Sequence, residues 1–283
     1  MLNLFYGWYL KCQSHTQTLA VIPALHQNEG KMECSIQIIT DEDAYMIEFP
    51  AELFQKTRNH IYIGDNRFGK DGIQLAINTL DMTIKGQIYF GPLSYPKYDI
   101  MGPFAFVPFM ECRHGVFSMR HLIYGQVFVN GQEYFFQKDW GYWEGDWGRS
   151  FPKEYIWTQC CFPGGSLMLA AADIPMGSFH FTGVIGFVLW QEKEYRIATY
   201  LGAKVSLVQN GKIHIVQGNL KLEASLLKKA EHSLKAPQRG NMTRTIYESA
   251  SCRAFYKFKK DQHTLFAFQT EQASFEYEYS NYS

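Results

Sequence analysis

Hydrophobic and polar residues alternate with a period of two through much of the chain. The clearest alternating runs cover residues 34–40, 44–49, 82–90, 254–259 and 275–279. Successive side chains of a β-strand point to opposite faces of the sheet, so this alternation is typical of strands with one buried face. Glycine-rich turn signals separate the runs at short intervals. The pattern therefore predicts an all-β protein, built as a sandwich or a barrel.

Two Asn-Gly pairs, Asn130-Gly131 and Asn210-Gly211, lie between alternating runs. This dipeptide accepts the positive φ angles of a type I′ turn, so each pair predicts a β-hairpin. Helical spacing is confined to residues 224–234, where we expect one helix. The chain of 283 residues exceeds one small barrel. We therefore expect two closely packed β domains, with the boundary inside residues 140–152.

Composition and charge limit the partners and the location that we expect for the protein. Lys and Arg number 27, as do Asp and Glu, so the formal net charge is zero, which argues against nucleic acid as a partner. No apolar run reaches the roughly 18 residues that predict a membrane-spanning helix. The N-terminus shows no secretory signal pattern, and the six cysteines include no C-x-x-C pair. We expect a cytoplasmic protein with reduced cysteines and no transmembrane segment.

The most unusual segment covers residues 139–152, where acidic residues stand among tryptophans. Its acidic residues are Asp139, Glu144 and Asp146, and its indoles are Trp140, Trp143 and Trp147, with Trp157 just beyond. An apolar wall disfavours an ionised carboxylate, and an uncharged carboxyl group can donate a proton to a weak base such as an alkene. Aromatic faces then stabilise the cation by about 0.5–2 kcal/mol each.

A structural alternative explains the same residues. Asp146 and Arg149 would form a buried ion pair at the domain boundary, with the indoles filling the seam. Glu144 and Asp146 are two residues apart, so on a strand they share a face and can share one proton. Both interpretations remain open from residue types alone.

Residues 146–152 read Asp-Trp-Gly-Arg-Ser-Phe-Pro, which resembles the D-W-G-x-S-F-P signature of the tocopherol cyclase-like family. Further segments that resemble the family in the same order are residues 7–11, 101–115, 118–121, 155–159 and 198–204. The resemblance departs from the family at residues 142–145, which read Tyr-Trp-Glu-Gly where the family usually has Tyr-Ile-Glu-Lys.

This resemblance implies two packed lipocalin-like antiparallel β-barrels, as in carotenoid hydratases and some fungal cyclases. We divide the chain accordingly into residues 1–148 and 149–283. The family members that make vitamin E close a chromanol ring by protonating a prenyl double bond, without a metal or redox cofactor. The implied partner is a lipophilic small molecule.

The candidate proton donor is Asp146, or Glu144 if that side chain points inward. The candidate substrate-binding residues are Tyr142, Trp143, Trp147, Trp157, His114 and Glu111. His114 and Glu111 would assist proton transfer if they face the same cavity. Their neighbours Cys112 and His121 do not complete a recognised zinc spacing, so we expect no metal and predict that His121 hydrogen-bonds a neighbour.

Three hypotheses follow for the whole protein. The first is a cofactor-independent enzyme that cyclises or isomerises a prenylated phenol or another lipophilic polyene. The second is a non-catalytic lipocalin-like protein that binds an apolar small molecule. The third is a structural protein whose barrels are filled by their own side chains.

Overall fold

A computed structural model describes residues 3–108, 110–176, 179–228, 233–238 and 241–279. The prediction of an all-β fold is confirmed, since two large antiparallel sheets account for most of these residues. The helical segments in these ranges are short 3-10 turns: Ala51–Leu53, Gly102–Phe106 and Thr199–Leu201. No helix in the described part of the chain combines the length and the apolar character needed to cross a membrane.

The first sheet has eleven strands and closes almost completely into a barrel. Its strands are β1 (Leu4–Gln13), β2 (Thr18–Asn28), β3 (Lys31–Thr40), β4 (Ala44–Pro50), β5 (Phe54–Lys56), β6 (His60–Ile63), β7 (Asn66–Gly69), β8 (Gly72–Asn78), β9 (Thr83–Phe90), β10 (Cys112–Val129) and β11 (Gln132–Gly148). Their order is β4-β3-β2-β1-β11-β10-β9-β8-β7-β6-β5. We call this sheet the first barrel.

The second sheet forms a half-barrel from the C-terminal part of the chain. Its strands are β12 (Tyr155–Phe162), β13 (Gly165–Met176), β14 (Phe179–Trp190), β15 (Lys193–Ala198), β16 (Lys204–Gln209), β17 (Lys212–Gln217), β18 (Leu220–Leu226), β19 (Ser233–Gln238), β20 (Asn241–Lys260) and β21 (His263–Glu278). The order is β15-β14-β13-β12-β21-β20-β18-β17-β16, and β19 pairs with β20 beside this path.

Both predicted hairpins are present. Asn130 and Gly131 have φ angles of 49° and 87° and join β10 to β11. Asn210 and Gly211 have φ angles of 50° and 74° and join β16 to β17. These left-handed conformations match a type I′ turn, whose twist suits the paired strands.

The helix predicted over residues 224–234 is wrong wherever the structure describes that segment. Strand β18 continues to Leu226 and β19 starts at Ser233, while residues 229–232 lie outside the described ranges. Leu222 and Ala224 are buried and pair with strand β20. Pairing with a neighbouring strand overrides the local helical spacing, because it buries these two side chains in the half-barrel core.

The two sheets pack against each other through strands near their middles. The chain changes sheet between Gly148 and Tyr155, and the division into domains at residue 148 remains a prediction. On β1, Leu10 points into the first barrel, whereas Tyr9 points towards the half-barrel and its hydroxyl lies 2.9 Å from Ser274 Oγ. A hydrophobic cluster separate from the two sheet cores fills most of this interface.

Candidate active site between the sheets

Strand β11 presents two chemically different faces. Trp143 points into the first barrel, where its ring centroid lies 5.1 Å from that of Phe117. Glu144 and Asp146 point the other way, towards the half-barrel. Alternation along the strand therefore separates the carboxyl groups from the neighbouring indoles, although all of them are adjacent in sequence.

A cavity of about 180 Å³ lies between the two sheets. A single water molecule needs about 10–15 Å³ by the same kind of measure, so the space is large enough for an organic molecule. Its wall is mostly apolar and includes Phe5, Ile22, Phe104, Trp157, Ile185 and Leu234. The interiors of the barrel and half-barrel hold separate cores of packed side chains. The candidate binding space is thus between the sheets rather than inside a barrel.

Three titratable side chains converge on the wall of this cavity. His114 on β10 pairs in register with Asp146 on β11. Its Nδ1 lies 2.9 Å from Asp146 Oδ1, and its Nε2 lies 3.1 Å from Glu144 Oε2. The contact with Asp146 is a hydrogen bond, whereas the contact of Nε2 with Glu144 is an ion pair that lacks hydrogen-bond geometry.

Glu144 accepts hydrogen bonds from side chains on both sheets. The Tyr142 hydroxyl donates a hydrogen bond to Glu144 Oε2 from the same strand. The indole N–H of Trp157 on β12 donates to the same oxygen at 3.3 Å. Burial, together with Glu144 and Asp146, raises the pKa of Tyr142 well above its usual value, so this phenol remains a donor. These contacts fix the carboxyl group against the imidazole.

The imidazole of His114 lies between two carboxyl groups that favour its protonated form. Burial alone lowers its pKa, but the neighbouring carboxylates Glu144 and Asp146 outweigh burial and hold the pKa well above its usual value. The sequence assigned the donated proton to Asp146 or Glu144, and that assignment remains a prediction. The geometry adds His114, in contact with both carboxyl groups, as a further group that can hold a proton.

The other candidate residues lie outside the cavity wall. Trp143 and Trp147 are on the opposite face of β11, where Trp147 covers Gly115. Tyr142 is fully buried behind Glu144. Glu111 is exposed, and its backbone carbonyl accepts the N–H of Arg149 at 2.7 Å.

The structural alternative required an ion pair between Asp146 and Arg149. Arg149 is exposed, and within the described ranges it forms no ion pair with Asp146 or Glu144. The partner of both carboxyl groups is His114. A histidine can gain and lose a proton near neutral pH, whereas a guanidinium would hold its charge permanently.

His121 follows its predicted structural behaviour. Its Nδ1 lies 2.9 Å from Ser118 Oγ, which confirms the hydrogen bond to a neighbour. Burial lowers its pKa to about 3, so the ring is neutral at physiological pH. Of the set Glu111, Cys112, His114 and His121, only Cys112 and His114 line the cavity, so the four are not brought together as one site.

His114, Glu144 and Asp146 nevertheless offer ligand atoms that all lie within 4.8 Å of one another, as a metal site would require. The two carboxyl groups contact opposite nitrogens of the ring. A single ion bound to one nitrogen would leave the other carboxyl group on the far side of the imidazole. This arrangement suits proton sharing better than the binding of one ion.

Sequence reasoning missed several polar residues of the cavity wall, among them Gln37 and Lys235. Glu276 on β21 and Tyr155 on β12 both line the cavity, and the Tyr155 hydroxyl donates to Glu276 Oε2. The available signal was the alternation of acidic and aromatic residues in 275–279, which places Glu276 on the opposite face from Phe275 and Tyr277.

No family model and no curated protein matches the chain. Solved structures do match its fold over nearly its whole length. An AttH-type protein from Nitrosomonas europaea has a TM-score of 0.60 at 8% identity, with 99% of this chain and 93% of that chain covered. Kievitone hydratase from Nectria haematococca has a TM-score of 0.58 at 10% identity, with 98% and 89% covered. CghA with Sch210972 has a TM-score of 0.62 at 8% identity, also with 98% and 89% covered.

At these identities the similarity establishes the fold alone. The chain has the two-sheet architecture shared by the AttH-type protein, kievitone hydratase and CghA. Membership of the tocopherol cyclase-like family remains a prediction from the sequence motifs.

Proposed function

We propose that the protein is an enzyme that transfers protons to and from a lipophilic small molecule in the cavity between the sheets. The observation that supports this most directly is His114, held between Asp146 and Glu144 on the wall of an apolar cavity. Perturbed titratable groups that converge on such a cavity are typical of acid–base catalysis. The hydratase among the structural neighbours is consistent with this class of reaction.

The three residues of the cluster take different roles in this proposal. The Asp146 side chain is 23% exposed, against 8% for His114 and 4% for Glu144, so Asp146 is the group best placed to contact substrate. His114 stores the proton and passes it to Asp146. Glu144 orients the imidazole. Carboxylic acids are stronger acids than imidazolium, so transfer from His114 to Asp146 is uphill, and its cost forms part of the barrier to protonating a weakly basic double bond.

The specific reaction we propose is cyclisation of a prenylated phenol or a related polyene. A proton from Asp146 adds to the double bond, the substrate's own hydroxyl oxygen captures the resulting cation, and the proton lost from that hydroxyl returns to the cluster. Tyr9 and Trp157 lie on the cavity wall with their ring centroids 5.2 Å apart, and aromatic rings stabilise such cations. The reaction is redox-neutral, so the chain's own residues can supply all of its proton transfers.

The experiment is turnover of a prenylated hydroquinone in D₂O, followed by mass spectrometry. We expect a cyclised product that carries one deuterium on carbon, and a rate about 10²–10⁴-fold lower for Asp146→Asn. Glu133→Gln, an exposed change near the hairpin end of the same strand, is the matched control and should keep the wild-type rate. Equal rates for wild type and Asp146→Asn would remove Asp146 from the donor role.

A non-catalytic binding protein is the second candidate, because the apolar wall would hold a lipophilic molecule without reacting with it. Native mass spectrometry separates the two candidates. A retained prenylated hydroquinone that is never converted would favour binding, whereas release of a cyclised product favours catalysis. Treatment with a chelator should change neither result if the cluster works by proton sharing.

A further inference from the structure

The half-barrel contributes a second acidic group to the cavity, on strands that do not carry the His114 cluster. Glu276 is 7% exposed and Tyr155 is 6% exposed, so both are almost fully buried. Both line the cavity and are joined by a hydrogen bond from the Tyr155 hydroxyl. Burial and the adjacent Glu276 raise the pKa of Tyr155 well above its usual value, which keeps this hydroxyl a donor.

Strand register places Glu276 next to the cluster on β11. Trp157 on β12 pairs directly with Glu276 on β21, and directly paired residues of antiparallel strands project from the same face. The Trp157 indole N–H also reaches Glu144. Trp157 thus contacts Glu144 of the first sheet and is the register neighbour of Glu276 on its own sheet, and all three residues line the cavity.

A buried carboxylate needs hydrogen-bond donors, and a carboxylate can accept about four hydrogen bonds. Glu276 receives a hydrogen bond from Tyr155 among its contacts, and its two oxygens offer room for a further one from a ligand. A hydrocarbon chain offers no donor, whereas an alcohol or phenol offers one. Glu276 thus distinguishes hydroxylated ligands from purely apolar ones of the same shape.

We propose that Glu276 recognises the substrate by accepting a hydrogen bond from its hydroxyl group. The hydrocarbon part of the substrate then extends along Trp157 towards Asp146 and His114. This inference deepens the proposed function, and its catalytic meaning rests on that function. The recognition itself concerns binding and is measured without turnover.

The experiment compares two probes that differ only in the donor, 4-octylphenol and its methyl ether 4-octylanisole. Dissociation constants are measured by isothermal titration calorimetry on the full chain. We expect the wild type to bind the phenol about 10-fold more tightly, as one additional hydrogen bond implies. Equal affinities for the two probes would overturn the proposal without any variant.

Glu276→Met combined with Tyr155→Phe removes the carboxyl group together with the hydroxyl that donates to it, so the Tyr155 donor is not left without its acceptor. The preference for the phenol should fall to about one in this double variant. Tyr155→Phe alone leaves the acceptor in place and should keep the preference. Glu278→Gln is the matched control on the same strand, because Glu278 pairs with Arg244 at 3.3 Å and should also leave the preference unchanged.

The outcomes separate this inference from the proposed function. A double variant that retains the 10-fold preference would overturn the role of Glu276. A preference that disappears in the double variant, together with no turnover of any prenylated hydroquinone, would support recognition by Glu276 and overturn the enzyme proposal. Should the double variant fail to fold, as judged by circular dichroism, Glu276→Gln is the substitute. It exchanges one acceptor oxygen for an amide NH₂ that cannot accept, so the preference should fall without vanishing, and an unchanged preference would overturn the role.

Discussion

His114 and His121 lie on the same strand, and both are buried, yet their protonation differs. Burial lowers the pKa of His121 to about 3 beside Ser118 and the ring of Phe90. Burial acts on His114 in the same direction, but Glu144 and Asp146 reverse the outcome and hold the pKa well above its usual value. Burial disfavours the charged ring in both places, and the facing charges decide which ring is protonated.

The same contrast separates the two faces of the first barrel. The inward face is filled by an apolar core, whereas the face towards the half-barrel carries the charged cluster and the cavity. A neutral buried histidine stabilises packing. A protonated histidine beside a cavity can exchange its proton with a ligand. Four predictions test this difference between the two histidines and between the two faces.

The largest effect should be on activity. His114→Gln removes the proton store of the cluster and should lower turnover of a prenylated hydroquinone by about 10²–10⁴-fold. His121→Gln should keep the wild-type rate, because this ring is neutral and lies away from the cavity wall. Steady-state kinetics of the two variants checks the contrast. Similar losses in both would mean that the histidines matter for folding only.

The next effect should be on stability. Glu144→Ala leaves the Tyr142 hydroxyl and the Trp157 N–H without their acceptor and breaks the ion pair to His114. Breaking a buried pair in this way costs about 3–5 kcal/mol. Glu133→Ala, an exposed change on the same strand, should stay within about 0.5 kcal/mol. Urea unfolding of both variants measures the difference, and a cost below 1 kcal/mol for Glu144→Ala would contradict a buried ionic cluster.

The dependence of stability on pH should have opposite signs for the two histidines. Above pH 6.5 the unfolded chain loses a proton that folded His114 retains, so the free energy of unfolding should fall as pH rises. Between pH 6.5 and about 3 the unfolded chain binds a proton that folded His121 excludes, so the free energy should fall as pH drops.

Each full proton of difference contributes a slope of about 1.4 kcal/mol per pH unit. His114→Gln should flatten the alkaline limb of the stability curve, and His121→Gln the acid limb. Urea unfolding of the three proteins across this pH range measures both slopes. Wild-type slopes that persist in both variants would assign the pH dependence to other groups.

The smallest effects should come from glycines on the two faces. A Cβ on Gly141 would lie 2.2 Å from His121 Nε2, so Gly141→Ala should cost about 1–3 kcal/mol through overpacking. A Cβ on Gly7, which lines the cavity, would meet nothing within 4 Å. Gly7→Ala should therefore stay within about 0.5 kcal/mol. Thermal unfolding checks both, and equal costs would contradict open space at Gly7.

The sequence predicted the class of fold and part of the candidate site. Alternation and Asn-Gly pairs determined the strands and both hairpins, because these signals act between neighbouring residues. Spacing also placed Glu144 and Asp146 on one face of a strand. The prediction of a helix at 224–234 was wrong because a long-range contact, the pairing with β20, outweighs the local spacing of apolar residues.

The groups that face the two carboxyl groups depend on the tertiary structure. His114 reaches them through the pairing of β10 with β11, Trp157 through the packing of the sheets, and Glu276 through the pairing of β12 with β21. These contacts join residues far apart in the chain, and the pKa of a buried group depends on the charges around it. The sequence thus determined the strands and supplied the carboxyl groups. The pairing of distant strands determined that His114 faces them, and the packing of the two sheets determined where the cavity lies.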